Sequence, residues 1–323
     1  MCHKLIIRIC LIVSVAFLSG CGGRPRMEIN RLDLLAHDAA RGRIGDEEVG
    51  KMSGGIRALM AVTGADTAQS EAEFLRQYGA TEFSEVFAPE VELKFNQLDI
   101  QEQDLGEARQ ILSEELPELK FPSQVYGIVT PYRQSVMTVD SVMLLGLNHY
   151  LGADFEGYEA FGAERSRKTP ERMAVEAVSA LVMSRYPFES HGGEATLLSR
   201  MLYDGAVTAA VKRALPSKSV KALLGTDSAA TEKMISEERE IWRSLAEKGL
   251  LFSTDVSVNS RLFMYAQSSD RIYPGCPGRA VAYTAMRIVE SYMKNNPDAK
   301  LPDLLSPTFY NSAETLRMAA YNP

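Results

Sequence analysis

Histidines, which carry out much of the acid–base and zinc chemistry in proteins, are few in this sequence. The chain has four, and three of them lie beyond the N-terminal apolar segment: His37, His149 and His191. None belongs to a His-Glu-x-x-His pair, which would place two zinc ligands on one face of a helix. The Gly-x-Ser-x-Gly, phosphate-loop and dinucleotide-binding patterns are missing as well. The sequence therefore has no intact motif for these reactions.

Two places remain as weak candidates for a site. Residues 189–194 bring carboxylates and an imidazole into one loop, so His191 and Glu194 could bind a metal ion there. We favour a solvated turn between two helices as the interpretation of this loop. His149 follows a predicted strand, where a side chain often lines a pocket, but we favour a structural histidine at that position too.

The N-terminal residues predict a lipoprotein. A positively charged end is followed by an apolar run, Ile9–Leu18, which is too short to span a bilayer, since spanning needs roughly 20 residues. Leu-Ser-Gly-Cys at positions 18–21 matches the bacterial lipobox. Residues 1–20 are therefore predicted to be a cleaved signal peptide, and Cys21 is predicted to carry lipid. An ordinary cleaved signal and a short membrane anchor are the alternatives.

The residues that follow predict where the mature chain is held. Glycine and proline dominate residues 21–26, which are predicted to be a flexible tether, and residues 27–323 are predicted to form a single globular domain. No acidic run follows Cys21. Because such a run resembles a surface-export signal in some bacterial lipoproteins, its absence predicts the periplasmic face of the outer membrane.

Cysteine usage and charge narrow the class of protein. Cys2 and Cys10 would leave with the signal and Cys21 would be lipidated, so Cys276 alone remains and no intramolecular disulfide can form. Cys276 lies in a Pro-Gly turn beside Arg279, which would lower the pKa of the thiol, but we favour an unreactive buried thiol. The signal holds two of the 35 basic residues and none of the 42 acidic ones, so the mature net charge is about −9. Without a basic block, nucleic acid is not an expected partner.

The hydrophobic pattern predicts an α+β fold that is predominantly α-helical. Three short β-rich runs in the middle of the chain predict a small antiparallel or mixed sheet, followed by packed helices. The predicted strands cover residues 124–130, 135–139 and 142–147, with a further short strand or extended segment at 27–35. The predicted helices cover residues 49–62, 70–78 and 105–116 before the sheet; after it, one begins at Thr169 and others include residues 198–211, 234–245 and 288–293.

Several segments resemble the gliding-motility GldB lipoprotein family. Leu144–Asp154 is similar to the GLDxYLG segment of that family. Further similar segments follow in the family's order: Lys168–Glu171, Met201–Gly205 with Leu215-Pro216, Glu240–Trp242, Leu250–Thr254, Pro277–Arg279 and Arg287–Met293. The resemblance begins near Asn30 and is densest from Val125 onward. It implies an envelope lipoprotein associated with gliding machinery or, in non-gliding relatives, an envelope role that is not assigned.

This family also looks distantly similar to zincin-type metallopeptidases, in which a small sheet precedes an active-site helix and a helix with an acidic zinc ligand. By that resemblance Glu176 corresponds to the general base and Asp204 to the acidic ligand. Val175 and Ser179 stand where the two histidines belong, so the resemblance implies a zincin-like shell whose zinc motif is lost. Glu176 could instead pair with Arg172, four residues earlier.

We therefore expect a lipid-anchored envelope protein that acts as a non-enzymatic binding or scaffold component, a pseudoenzyme without a cofactor. Its expected partners are the membrane, through the lipid, and other envelope proteins or cell-wall components. A competing hypothesis is a metal-dependent hydrolase with a divergent site built from Glu176, Asp204, His149 or His191. A third is a module that binds cell-wall glycan or lipid.

Overall fold

The computed structural model describes residues 24–66, 68–190 and 193–323. Over these ranges the protein is α+β and dominated by helices, which confirms the predicted class. The strands are β1 (Ile29–Arg31), β2 (Gln124–Ile128), β3 (Val136–Val139) and β4 (Val142–Gly146). Between β1 and β2 lie α1 (Leu32–Ala40), α2 (Asp46–Lys51), α3 (Ser53–Thr63), α4 (Glu71–Gly79), α5 (Glu82–Lys94) and α6 (Asp99–Glu115).

The chain after β4 is helical almost to its end. Short 3-10 segments lie at Leu147–His149, Glu156–Arg167 and Leu250–Phe252. The α-helices are α7 (Arg172–Arg185), α8 (Leu197–Ala214), α9 (Val220–Leu224), α10 (Ser228–Ser236), α11 (Glu238–Glu247), α12 (Val256–Phe263), α13 (Ala280–Asn295), α14 (Leu301–Leu304), α15 (Pro307–Tyr310) and α16 (Ala313–Ala319). Among the described residues, no helix is both long enough and apolar enough to cross a membrane.

The sheet is mixed, with the strand order β1-β2-β4-β3. Strand β2 pairs in parallel with β1 and β4, and β3 lies antiparallel to β4 at the edge. The sequence predicted β2, β3 and β4 within one to two residues of their observed ends. The fourth strand, β1, lies in the segment predicted as a short strand or extended, but it is only three residues long because Leu32 already begins α1.

The side chains of the central strands alternate between two apolar cores, because successive strand residues point to opposite faces. Val125, Met143 and Leu145 belong to the larger core, which includes residues of α6, α7, α8 and α13. Tyr126 and Leu144 belong to a smaller core with residues of α1, α3 and α4. The sheet is therefore buried on both faces, as is typical of sheets that contain parallel strands.

Helix α8 runs through the larger core and is crossed closely by α13. A Cβ atom added at Gly205 of α8 would lie only 2.4 Å from the carbonyl oxygen of Ala285 in α13, so glycine permits this approach. Helix α7 packs between α8 and the β3 edge of the sheet. These packings bring Glu176 of α7, Asp204 of α8 and Arg279, which directly precedes α13, into one region.

Helix boundaries differ from the predicted ones where a one-residue break interrupts a continuous apolar pattern. The first predicted helix is broken at Met52, and the one predicted over residues 234–245 is broken at Glu237. Helix α5 was not predicted, because Pro89 lies inside it. Helix α7 begins at Arg172, and the backbone carbonyl of Thr169, not its hydroxyl, accepts a hydrogen bond at that end (2.9 Å).

Candidate functional site

Glu176, the residue that the resemblance places as a general base, lies in the second turn of α7 and is 9% exposed. Two hydroxyls donate to its Oε2 atom: Ser135 Oγ at 2.5 Å, from the start of the β3 edge, and Tyr150 OH at 2.9 Å, from the segment after β4. The carboxylate is thereby attached to the sheet and to the chain that leaves it.

The other oxygen of Glu176 faces two guanidinium groups. Arg167 Nε lies 3.0 Å and Arg172 Nη2 lies 3.2 Å from Oε1, so the predicted pairing with Arg172 is confirmed and a second arginine joins it. Burial alone would raise the pKa of Glu176, but Arg172, Arg167 and the two hydroxyl donors outweigh it and lower the pKa to about 2. Glu176 is therefore ionised at neutral pH, and both of its oxygens are occupied.

Arg172 extends this cluster to a second helix. Its Nη1 atom donates to the carbonyl oxygens of Ala222 (2.7 Å) and Leu223 (2.6 Å) in the last turn of α9, where helix carbonyls lack intrahelical partners. A guanidinium has five fixed donors, which lets one side chain bind a carboxylate and two carbonyls at once. The buried arginine thus joins α7 to α9 as well as neutralising Glu176.

Tyr265 contacts the guanidinium groups of Arg167 and of a third arginine, Arg279. The Arg167 guanidinium carbon is 4.8 Å and that of Arg279 is 4.5 Å from the centre of the ring, within the range of cation–π attraction. The Tyr265 hydroxyl is 3.5 Å from Arg172. Arg279 has a φ of +65°, uncommon for a residue with a Cβ atom, and its Nη1 donates to the carbonyl of Phe263 at 2.8 Å.

Asp204 is the second acidic residue that the resemblance implies. It interacts with this cluster only electrostatically, without a hydrogen bond among the described residues. Its Oδ2 atom is shielded from solvent and has no hydrogen-bond partner among the described residues. Burial raises the pKa of Asp204, and the charges of Arg279 and Arg172 oppose that rise. The Nε atoms of Arg172 and Arg279 are also buried without partners, so three of the four such atoms in the described residues belong to this region.

His149 lies beside the cluster but has no free ring nitrogen. Its Nε2 atom is 3.0 Å from the carbonyl oxygen of Tyr132, and its Nδ1 atom is 3.2 Å from Lys168 Nζ. Because a carbonyl only accepts and an ammonium only donates, Nε2 must carry the proton and Nδ1 must accept. Burial and the charge of Lys168 lower the pKa of His149 to about 4, so the ring is neutral at physiological pH.

A cavity of about 320 Å³ adjoins Tyr265 and Arg279. The loop at Gly162–Ser166 and the segment after α9, Gly225–Asp227, complete its walls. A Cβ atom added at Gly225 would lie 3.0 Å from the Tyr265 ring, so glycine lets this segment approach the tyrosine closely. The cavity therefore opens beside the arginines that surround Tyr265.

The remaining predicted site residues lie apart from this cluster. Glu194 is exposed, and His191 and Cys21 lie outside the described residues. Cys276 is buried, and burial raises the pKa of its thiol to about 11, as expected for an unreactive cysteine. In residues 24–66, 68–190 and 193–323, no three His, Cys, Asp or Glu side chains lie close enough together to hold a metal ion.

Sequence reasoning missed most of the residues around Glu176. Only Arg172 carried a local signal, the four-residue spacing on a helix. Ser135, Arg167 and Tyr265 come from other segments, and Tyr265 is 89 positions away in the chain. Their convergence depends on packing between distant segments, so no spacing in the sequence indicates it.

The fold and this cluster define a class of protein: a helix-rich α+β protein on a small mixed sheet, with a neutralised carboxylate on the helix that follows the sheet. The family model described as gliding motility protein GldB matches residues 28–323, so the chain belongs to that family. Membership makes it a lipoprotein associated with gliding motility. No curated protein and no solved structure matches the chain. The likeness to zincin-type peptidases stays a prediction.

Replacing Glu176 with glutamine is expected to destabilise the protein by about 3–5 kcal/mol, because it leaves the buried guanidinium of Arg172 without its carboxylate partner. The folded pKa lies near 2, below the ordinary value of 4.5, so the ionised carboxylate stabilises the fold above about pH 4.5. That contribution is lost as the pH falls toward 2.

Chemical denaturation at pH 6 and pH 3 measures this difference. The wild type should lose more of its free energy of unfolding between these pH values than Glu176→Gln does. Glu92→Gln removes an exposed carboxylate of α5 and should behave like the wild type. An equal loss in the wild type and in Glu176→Gln would contradict the assignment.

His149 is expected to titrate near pH 4 in the folded protein, which NMR of its ring resonances measures directly. Because its unfolded pKa is near 6.5, the unfolded chain takes up a proton first, and stability falls as the pH drops from 6.5 toward 4. Replacing Lys168 with glutamine removes the neighbouring positive charge and should raise the midpoint. A wild-type midpoint near 6.5 would show that the ring is solvated.

Proposed function

We propose that this protein is a lipid-anchored envelope component that binds another envelope component without catalysing a reaction. The observation that supports this most directly is the state of Glu176. Both of its oxygens are engaged by two arginines and two hydroxyls, and its pKa of about 2 lies far below neutral pH. A general base works best with a pKa near the working pH, so this carboxylate suits a structural counter-charge better than proton transfer.

The neighbouring side chains support the same proposal. Val175 is apolar and buried, and the Ser179 hydroxyl donates to the Val175 carbonyl at 2.7 Å, so neither residue supplies a ligand in place of a histidine. His149 uses both ring nitrogens within the protein. Of the residues of the hydrolase alternative, Glu176 and His149 are thus committed to internal contacts, Asp204 is not, and His191 lies outside the described residues.

The start of the described chain bears on how a lipid anchor would hold the body. The backbone of Pro25 lies so close to α6 that a Cβ atom on Gly106 would be 2.3 Å from the Pro25 carbonyl oxygen, and Arg26 pairs with Asp99. Only four residue steps separate Cys21 from Pro25, and a chain spans at most about 3.6 Å per residue. A lipidated Cys21 would therefore lie within about 14 Å of Pro25, on the side of the body where Pro25 packs against α6. We propose that the anchoring membrane is the outer membrane and that the globular domain lies on its periplasmic face.

Anchoring is tested by replacing Cys21 with serine in the full chain. The variant is expected to lose incorporation of a fatty-acid label and to leave the outer-membrane fraction, because serine has no thiol to acylate. Cys10→Ser changes a cysteine within the same N-terminal segment but leaves the lipobox intact, so it should be labelled like the wild type. Label on the Cys21→Ser chain, or a wild type without label, would overturn the proposed anchor.

The non-enzymatic role is tested on the full-length protein purified in detergent. We expect less than stoichiometric zinc by elemental analysis and no cleavage of a peptide library, because Glu176 is held as an arginine counter-charge. Zinc-dependent cleavage that disappears in a folded Glu176→Gln protein would establish the hydrolase alternative. Crosslinking in living cells then identifies what the protein binds.

A further inference from the structure

We propose that the cavity beside Tyr265 is a binding site for an anionic ligand, whose carboxylate or phosphate group is held by Arg279 and Arg165. The inference deepens the proposed binding role and rests on it in one respect: the ligand is bound and not converted. The cavity has a volume of about 320 Å³, at the lower end of the range for small-molecule sites.

Both arginines keep unused donors. The Nη1 atom of Arg279 donates a hydrogen bond to the Phe263 carbonyl, and its Nε atom is buried without a partner among the described residues. Its Nη2 makes no hydrogen bond with any described residue. The Arg165 side chain has neither a hydrogen bond nor an ion pair within the described part of the chain, although it lines the same cavity. Guanidinium groups bind carboxylates and phosphates strongly through paired N–H donors, so two such groups favour an oxyanion.

The negative charges around the cavity do not cancel these donors. Asp227 lines the wall, but its Oδ1 accepts a hydrogen bond from the backbone of Ala230 at 2.7 Å as the N-cap of α10. Glu164, in the loop that carries Arg165, lies 3.5 Å from Arg167. The carboxylate of Glu176 does not line the cavity and is paired with Arg167 and Arg172. Asp204, whose charge interacts with that of Arg279, is the remaining acidic group, and burial raises its pKa. The charged residues that line the cavity are thus two arginines and the single carboxylate of Asp227.

Tyr265 provides a fixed surface inside this positive region. Its ring is held by the guanidinium groups of Arg167 and Arg279, and glycine at position 225 lets the backbone pack against it. A preformed wall reduces the entropy that a ligand loses on binding. An adjoining cavity of about 630 Å³ shares the Arg165 wall, so a ligand longer than a bare ion has room to extend.

The two other large cavities lack this feature. In the first, Arg287 pairs with Glu238 and Glu290, so Arg239, which donates Nε to the carbonyl of Pro323, is the single arginine there without an ionic partner among the described residues. In the second, Arg213 pairs with Glu115. Volume alone therefore does not select the Tyr265 cavity. The unused arginine donors beside a fixed aromatic ring distinguish it.

Calorimetry with the full-length protein in detergent tests the site. The probes are N-acetyl-alanyl-alanine with a free carboxylate, the same dipeptide as its C-terminal amide, glycerol 3-phosphate, and glycerol. We expect the free carboxylate, the phosphate or both to bind, and the uncharged partner of each to bind at least tenfold more weakly. The carboxylate and phosphate arms show which source of the oxyanion the cavity prefers.

Arg165→Gln should weaken binding of the anionic probe about tenfold, equivalent to about 1.4 kcal/mol. This side chain has no partner among residues 24–66, 68–190 and 193–323, so folding should be unaffected. Arg109→Gln, which removes an exposed arginine of α6, is the matched control and should bind like the wild type. The proposal is overturned if neither anion binds at 10 mM, if the amide or glycerol binds equally well, or if Arg165→Gln leaves the Kd unchanged.

Binding in detergent depends neither on the lipid nor on a protein partner. If the Cys21→Ser experiment overturned the proposed lipid anchor, the result of the binding experiment would still be valid. A peptidase activity would instead appear as heat that continues after saturation and as cleaved dipeptide, which separates failure of the non-enzymatic role from failure of the binding site.

Discussion

A single buried carboxylate connects the parts of this structure that meet around α7. Glu176 accepts hydrogen bonds from the sheet edge through Ser135 and from the segment after β4 through Tyr150. It also faces Arg167 and Arg172, and Arg172 reaches the end of α9. Charges taken out of water require partners with good geometry, so each of these segments is constrained by the position of one side chain. Replacing any of the partners would remove one of the four donors to this buried carboxylate.

The same constraint explains why buried polar atoms without hydrogen-bond partners lie near Glu176. Three arginines converge on a region that contains two acidic side chains, and Glu176 takes two of the three. Arg279 and Asp204 influence each other's charge without sharing a hydrogen bond, and each has a buried atom without a partner. Such groups cost free energy unless something satisfies them, and structures retain them mainly where they serve a purpose. Of these residues, Arg279 lines the Tyr265 cavity, where a ligand could reach it.

Local patterns in the sequence predicted many of the strands and helices, but they did not predict the contacts between distant segments. Short β-rich runs located β2, β3 and β4, because strand propensity depends on the residues within each run. The pairing of β1 with β2 joins segments about 95 positions apart, so no local pattern in the sequence indicates it. Around the site, the spacing of Arg172 and Glu176 predicted their ion pair. Tyr265 and Arg279 could not be assigned, because their role depends on how the segment before α13 packs against α7 and α9.

The surroundings of Glu176 suit a structural counter-charge better than a catalytic base. A catalytic base needs a free lone pair and a pKa within reach of the working pH. Two arginines remove both properties here, since each stabilises the ionised form and one occupies the helix turn just before the carboxylate. Binding requires the reverse arrangement, in which donors stay free and the surrounding wall stays fixed. Arg279 and Arg165 meet that requirement, so the groups of this region that can bind a ligand are its arginines rather than its carboxylate.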